Sequence, residues 1–415
     1  MADTVPVPPA PVLPLLPFQR DVIEYLRSEE AELWRWYSST SFLEEHATNV
    51  RLDLLKSCYR LERDAHPDVY AVVDEARERL GLSVPVTVYQ SQMAIALNAS
   101  LAYVPGEAHI VLEGPVTSTL TRDELRAALA HELTHYLIWQ YENGDLLVAD
   151  QLVSAMASHP RAEASHVETA RLFRLYLEIH ADRGSVAAGA DPMVAIGSLV
   201  KIQTGLADAQ GESYLRQADE IFAADEDVTT EQLTHPESFI RARALKLWSE
   251  KGDTANESIA RMIEGRLDLG RLSLLGQKRL SALTRALLVR LLQPGWMRSE
   301  ARVAHARLFF PDLDVEREAE TAPLPRGEDL EAADETVRRY LAYVLLDLAT
   351  VDREGDDVAL AAALRMAEEL GLGSIFVGIA ASELDLSKRA LTRLKKDAAQ
   401  LVAAAEGAGP EGPAK

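Results

Sequence analysis

Two histidines and a glutamate in one short segment have the types and spacing of a metal site. His131, Glu132 and His135 form the pattern His-Glu-x-x-His within the apolar segment Ala127–Trp139. On an α-helix, residues four apart lie on one face, so the two imidazoles would point the same way. Zinc binds such nitrogens at about 2 Å, and the adjacent carboxylate can take a proton from the water that the metal holds. The pattern predicts metal-assisted hydrolysis; the alternative is an ordinary helix with two structural histidines.

A third ligand should follow on another element, because two histidines and a water leave tetrahedral zinc one ligand short. The segment Tyr176–Gly184 contains Glu178 and Asp182, which are one helical turn apart and share a face. Glu178 can bind the metal, while Asp182 can accept the second nitrogen proton of a ligand histidine and hold its ring in place. A solvated acidic helix face is the alternative, but the apolar neighbours of both acids make it less attractive. His180 lies well off that face and is interpreted as structural.

These motifs resemble the gluzincin metallopeptidases of family forty-eight, which includes HtpX, the type I CAAX prenyl protease and soluble relatives. Several flanking segments share the resemblance, which covers about residues 66 to 250: Leu97–Ser100, Ala108–Gly114, Thr121–His131, and Thr234-His235-Pro236 with Arg241. The chain departs from the membrane-bound members by lacking spans. It also departs after Ala99, where Ser100-Leu101-Ala102-Tyr103 replaces their aromatic and glycine pattern, so their substrate preference does not carry over.

The resemblance implies roles for the residues that match its motifs. His131, His135 and Glu178 would bind one zinc ion, and Glu132 would serve as general base and then general acid in peptide-bond hydrolysis. Asn98 would lie on the strand beside which an extended substrate binds. The alternative for Asn98 is a turn or bulge residue.

The tetrahedral oxyanion of such a reaction needs a hydrogen-bond donor besides the metal. His235 and Arg241 are the candidates in the His-Pro segment. Alternatively, His235 caps a helix and Arg241 pairs with a surface acid, and Arg243 could replace Arg241 if the register differs.

Composition indicates a globular protein of two or three domains, since 47% of the 415 residues are hydrophobic. The formal charge of −22 argues against nucleic acid or anionic membrane as a general partner. The single cysteine, Cys58, excludes an internal disulfide and fits a reducing compartment, so we expect a cytoplasmic protein. The longest uncharged run, Leu80 to Gly106, contains prolines and alternating apolar residues, so it predicts strands and no membrane span.

The predicted fold class is α+β and mainly helical: a zincin-like metallopeptidase domain with a small antiparallel sheet, plus an all-α C-terminal domain. Short β-branched or aromatic segments predict the strands, namely Val86–Tyr89, Ser100–Val104 and His109–Glu113. Thr121 and Glu124 form a capping box that should begin the motif helix near Arg122, and the helix should run to about Tyr141.

Composition also divides the chain. We expect a disordered Pro-rich leader at residues 1–17, a metallopeptidase domain with helical extensions at 18–310 and a linker at 311–327. An all-helical C-terminal domain should follow at 328–405 and a disordered tail at 406–415. The C-terminal segment weakly resembles TerB-like helical domains and is a candidate surface for a regulatory protein partner. Four acids near its first loop could bind a cation or form a solvated loop: Asp352, Glu354, Asp356 and Asp357.

The leading hypothesis is a soluble zinc-dependent endopeptidase that acts on peptide or protein substrates. An alternative from another class is a non-catalytic adaptor or pseudo-enzyme with a structural zinc site and helical partner-binding domains. A third hypothesis is a latent peptidase whose terminal regions block the cleft until a signal arrives.

The leading hypothesis predicts about one zinc ion per purified chain, held by three protein ligands, because catalytic zinc keeps one position open. Metal analysis gives the stoichiometry, and X-ray absorption spectroscopy gives the ligand set. A fourth protein ligand closing the metal would instead support the adaptor.

Overall fold

The computed structural model describes residues 13–92, 96–231, 234–321, 330, 333–352 and 356–408. Two compact units divide the chain between Gly265 and Arg266. Across the described ranges, every helix is too short or too polar to span a lipid bilayer. The fold is mainly helical with one small sheet, which confirms the predicted α+β class.

The first unit contains the sheet and most of the helices. Its helices are α1 Pro17–Glu29, α2 Ala31–Tyr37, α3 Thr40–Ser57, α4 Pro67–Arg79, α5 Val116–Thr119, α6 Arg122–Trp139, α7 Asp145–Ser158, α8 Ala164–Ala187, α9 Pro192–Thr204, α10 Gly211–Ala224, α11 Ser238–Lys251 and α12 Asn256–Glu264. Its strands are β1 Cys58–Arg60, β2 Val86–Ser91, β3 Asn98–Val104 and β4 Glu107–Glu113.

The sheet is mixed, with strand order β1-β2-β4-β3, so the prediction of a wholly antiparallel sheet is wrong in its pairing. β3 and β4 form the predicted antiparallel hairpin, but β4 then pairs in parallel with β2. The burial of the strands agrees with this order. All five inner residues of β4 are buried, so it takes a central place, whereas the half-exposed β3 remains at the edge.

The motif helix α6 packs between the sheet and the helices that follow it. Its first turn has the predicted capping box: the Thr121 backbone N–H donates to Glu124 Oε2 at 2.9 Å, and the Glu124 N–H donates to Thr121 Oγ1 at 3.4 Å. Lys201 on α9 binds the same Glu124 carboxylate at 2.9 Å. One apolar cluster joins α4, α6 and a face of the sheet, so the motif helix has a fixed position relative to edge strand β3.

Helices α6 and α8 cross at a glycine. A Cβ atom on Gly184 would lie 1.8 Å from Thr134 Oγ1 and 2.5 Å from Thr134 Cβ. The Thr134 hydroxyl donates to the Ala130 carbonyl at 2.7 Å, so its polar atom is satisfied inside the contact. The two helices can approach this closely only because position 184 has no side chain.

The second unit is all-helical, as predicted for the C-terminal domain. Its helices are α13 Leu274–Leu292, α14 Glu300–Phe309, α15 Val315–Thr321, α16 Glu335–Thr350, α17 Asp356–Glu369, α18 Gly373–Glu383 and α19 Lys388–Ala408. They enclose one apolar core. Short 3₁₀ turns occur in both units, at Tyr141–Asn143, Gly252–Ala255, Leu269–Arg271 and Gly295–Met297.

The division of the chain differs from the predicted one. Buried residues of α13 and α14, such as Leu287 and Ala306, belong to the core of the second unit, although the sequence assigned them to the peptidase domain. Helix α15 occupies part of the predicted linker 311–327. Leu13 is buried, so the packed chain begins within the predicted leader, while residues 1–12, 322–329 and 409–415 lie outside the described residues.

Gly184→Ala should destabilise the protein by about 3 kcal/mol or more, at the upper end of overpacking costs. Rotation of Thr134 cannot relieve the clash, because the Thr134 Cβ itself lies too close. Chemical denaturation measures the loss. Gly197→Ala is the matched control, a buried glycine on α9 where a Cβ would have only ordinary contacts from 3.5 Å. Equal stability of the two variants would contradict the close crossing.

Candidate metal centre

The centre is built from one face of α6 and one face of α8. The imidazoles of His131 and His135 lie with ring centroids 5.1 Å apart and planes at 82°. The Glu178 carboxylate on α8 faces both rings, with Oε2 at 3.5 Å from His131 Nε2 and Oε1 at 3.5 Å from His135 Nε2. The structure therefore brings together the three residues that the sequence predicts as ligands.

These three residues fit a zinc ion. One ligand atom from each lies within 4.8 Å of the others. Tetrahedral ligands at about 2 Å from zinc are separated by about 3.3 Å, close to the observed nitrogen–oxygen distances. Two imidazoles and a carboxylate are also a donor set that zinc accepts in catalytic sites. In the described part of the chain, no other group of three His, Cys, Asp or Glu residues has this geometry.

Asp182 and Arg241 support the ligands from behind. His131 Nδ1 lies 3.1 Å from Asp182 Oδ1, the contact that the sequence predicts for holding the ring. Arg241 on α11 donates to Asp182 through Nε at 2.8 Å and Nη2 at 2.6 Å. Its Nη1 lies 3.2 Å from Glu178 Oε2. The guanidinium therefore joins both carboxylates of α8, and its partners are the buried Asp182 and the mostly buried Glu178 rather than a surface acid.

The pKa values of these groups reflect burial and pairing. Burial opposes charge on His131, but its bonds to Asp182 and Glu178 prevail and raise its pKa to about 10. Burial also opposes ionisation of Glu178, yet hydrogen bonds from the two histidines hold its pKa well below the usual range. The pKa of Asp182 is likewise lowered, because Arg241 outweighs the effect of burial. Both acids are thus ionised at neutral pH, as a metal site requires.

Glu132 differs from these acids because it has no such pairing. Its side chain is 7% exposed and lines the same cavity as the ligands. Burial raises the pKa of the Glu132 carboxyl, while the charges of His131 and His135 act against this rise. A raised pKa makes it easier for a carboxylate to hold a proton near neutral pH.

Of the remaining predicted residues, His235 and Asn98 line the cavity, whereas Arg243 does not. His235 lies at the metal centre, with Nε2 at 3.7 Å from Glu178 Oε1 and a side chain that is 56% exposed. It does not cap α11, whose N-cap is Glu237. Asn98 is the first residue of edge strand β3 and lines the cavity, so it is a strand residue. Arg243 lies elsewhere and pairs with Asp219 at 2.6 Å.

A cavity of about 570 Å³ opens over the ligands. β3 lines one side, with residues Asn98–Leu101, and α9 contributes Ala195, Ser198 and Ile202. Sequence analysis missed several lining residues, among them Trp139, Asp150, Ser154 and Arg174. Arg174 could have been found, because it lies one helical turn before Glu178 on the same face. Asp150 has no such sequence signal, since only the packing of α7 brings it to the cavity.

A comparison with protein families matches the part of the chain that holds this site. Residues 64–249 match the family model described as Peptidase family M48. The chain is 28% identical over 198 residues to the chloroplastic plastoglobule-localized metallopeptidase 48 of Arabidopsis thaliana. That alignment covers 44% of this chain and 57% of the relative, so it spans little more than half of the relative's length. No solved structure matches the chain.

Asp182→Asn should weaken zinc binding by about 10- to 100-fold, because the ring of His131 loses its charged partner and Arg241 loses an ion pair. Competition with a chromogenic chelator measures the affinity, and circular dichroism checks the fold. Asp208→Asn, an exposed position outside the cavity, is the control and should bind zinc like the unaltered protein. Unchanged affinity in folded Asp182→Asn would refute this role.

Proposed function

We propose that residues 64–249, which match the model of Peptidase family M48, form a peptidase domain of that family, and that the chain is a zinc-dependent endopeptidase of peptide or protein substrates. The observation that carries the proposal is the set of three ligand atoms from His131, His135 and Glu178, on the wall of an open cavity. A zinc ion held there would polarise both a water molecule and a peptide carbonyl.

Glu132 is the proposed general base. It is the residue next to His131 and lines the cavity, so its carboxylate is available to a water beside the ligands. The carboxylate takes a proton from that water as the peptide carbonyl is attacked, and it then gives the proton to the leaving amine. The upward shift of its pKa by burial makes the Glu132 carboxylate a stronger base and so favours the first of these steps.

His235 is the better candidate for the donor that stabilises the oxyanion. Its side chain is exposed to the cavity and lies beside Glu178, so an N–H can reach a substrate oxygen near the ligands. Arg241 has its Nε, Nη1 and Nη2 directed to Asp182 and Glu178. We therefore propose that Arg241 positions the acids, and that it does not contact the substrate.

The adaptor alternative is less well supported. A structural zinc needs a fourth protein ligand, and the described residues supply a group of three. The cavity beside these ligands offers room for a substrate, with edge strand β3 along it. An extended peptide could add to this edge beginning at Asn98, through backbone hydrogen bonds.

Several features of the whole protein stay proposals. These are a cytoplasmic location, autoinhibition by terminal regions, and a regulatory protein partner bound by the C-terminal helical segment 328–405, for which a TerB-like domain is proposed. The proposed cation loop also stays untested, because Glu354 lies outside the described residues.

Glu132→Gln should retain zinc but slow peptide cleavage by at least about 100-fold, because the general base is lost while the ligands remain. Cleavage of an unfolded protein followed by mass spectrometry measures the rate, and metal analysis checks the zinc content. Glu212→Gln, at an exposed position on α10, should cleave at the unaltered rate. Undiminished cleavage by zinc-loaded Glu132→Gln would exclude this mechanism.

A further inference from the structure

A second polar cluster lines the same cavity beyond His135. Three helices contribute to it: Trp139 follows His135 by one turn on α6, Arg174 precedes Glu178 by one turn on α8, and Asp150 and Ser154 lie one turn apart on α7. Ala127 and Ala128 line the cavity at the other end of the same α6 face. The two ends of the cavity therefore differ, since one has small apolar residues and the other has charged and aromatic ones.

Asp150 and Arg174 are oppositely charged but are not joined to each other. In the described part of the chain, neither side chain has a hydrogen bond or an ion pair, although each residue is only partly exposed. Burial raises the pKa of Asp150 to about 6, and the charge of Arg174 acts against that rise. The two charges thus interact electrostatically without a hydrogen bond between them. Both side chains can therefore form hydrogen bonds with a ligand in the cavity.

Resting on the proposed peptidase function, we propose that Asp150 and Arg174 form a subsite that selects a substrate residue with a carboxamide side chain, glutamine or asparagine. The amide NH₂ donates to Asp150, and the amide oxygen accepts from Arg174. The ring of Trp139 offers an apolar wall for the methylene groups. The carboxamide adds no net charge, so the opposite charges of the protein remain balanced.

Other side chains satisfy the subsite less well. Lysine pairs with Asp150 but brings a second cation close to Arg174. Glutamate pairs with Arg174 but brings a second anion close to Asp150. Leucine satisfies neither group and leaves both desolvated and unpaired, which is costly at a partly buried position. The subsite should therefore prefer a carboxamide side chain over cationic, anionic and apolar ones.

Peptide binding to the zinc-loaded full chain carrying Glu132→Gln tests the subsite without requiring cleavage. The probes are fluorescent eight-residue peptides in which glutamine, leucine, glutamate or lysine occupies each position in turn. At one position, glutamine should bind at least about tenfold more tightly than leucine, as expected for hydrogen bonds to charged groups. Glutamate and lysine should also bind more weakly than glutamine there.

Two substitutions in the same background should change the preference in opposite directions. Asp150→Asn leaves Arg174 as the only charge and should favour glutamate, whereas Arg174→Gln leaves Asp150 and should favour lysine. Asp208→Asn and Arg216→Gln are charge-matched controls at exposed positions outside the cavity, and they should keep the preference for glutamine. General misfolding cannot change the binding preference in opposite directions in the two variants. If one variant fails to fold, the preference of the other still tests the subsite.

The outcomes separate the subsite from the peptidase function. If the unaltered protein cleaves no peptide but the binding preferences and their reversals appear, hydrolysis fails and the subsite stands. If no peptide binds, if all four side chains bind equally, or if the folded variants keep the preference for glutamine, the subsite proposal is overturned.

Discussion

The close crossing of α6 and α8 at Thr134 and Gly184 is the constraint on which the metal centre depends. Two candidate ligands lie on α6 and the third on α8, so the donor set exists only if the helices approach to a fixed distance. Any side chain at position 184 would overlap Thr134, and the threonine hydroxyl is satisfied within its own helix. The contact is therefore close, and such packed interfaces deform little.

Charge balance is the second requirement, since three buried carboxylates would otherwise repel one another. The hydrogen bonds from His131 and His135 keep Glu178 ionised despite burial, with help from Arg241, and Arg241 is the main cause that keeps Asp182 ionised. An unpaired charge in such a place would be costly. The same ion pairs attach α11 to α8 and so fix the segment that carries His235. One guanidinium thus supports the ligands and positions a candidate catalytic group.

Under the proposed function, bond cleavage and substrate selection occur in different parts of the cavity. The ligands and Glu132 occupy its middle, edge strand β3 runs along one side, and its ends differ in polarity. A backbone-binding edge favours extended chains of many sequences. Any preference among them must therefore come from side-chain contacts at the two ends. α7, α8 and α9 provide these contacts, and they surround the motif helix in the same unit.

Much of the site could be predicted because helical periodicity is local. The spacing of His131 and His135, of Glu178 and Asp182, and the capping box at Thr121 each depend on a few consecutive turns of one helix. The sequence by itself therefore determined which residues share a face and which chemistry they suit. Only the tertiary structure decided the parallel pairing of β2 with β4, the second unit beginning at Arg266, the bond from Arg241 to Asp182 and the place of Asp150 in the cavity. Each of these depends on packing between distant segments, which no local pattern encodes.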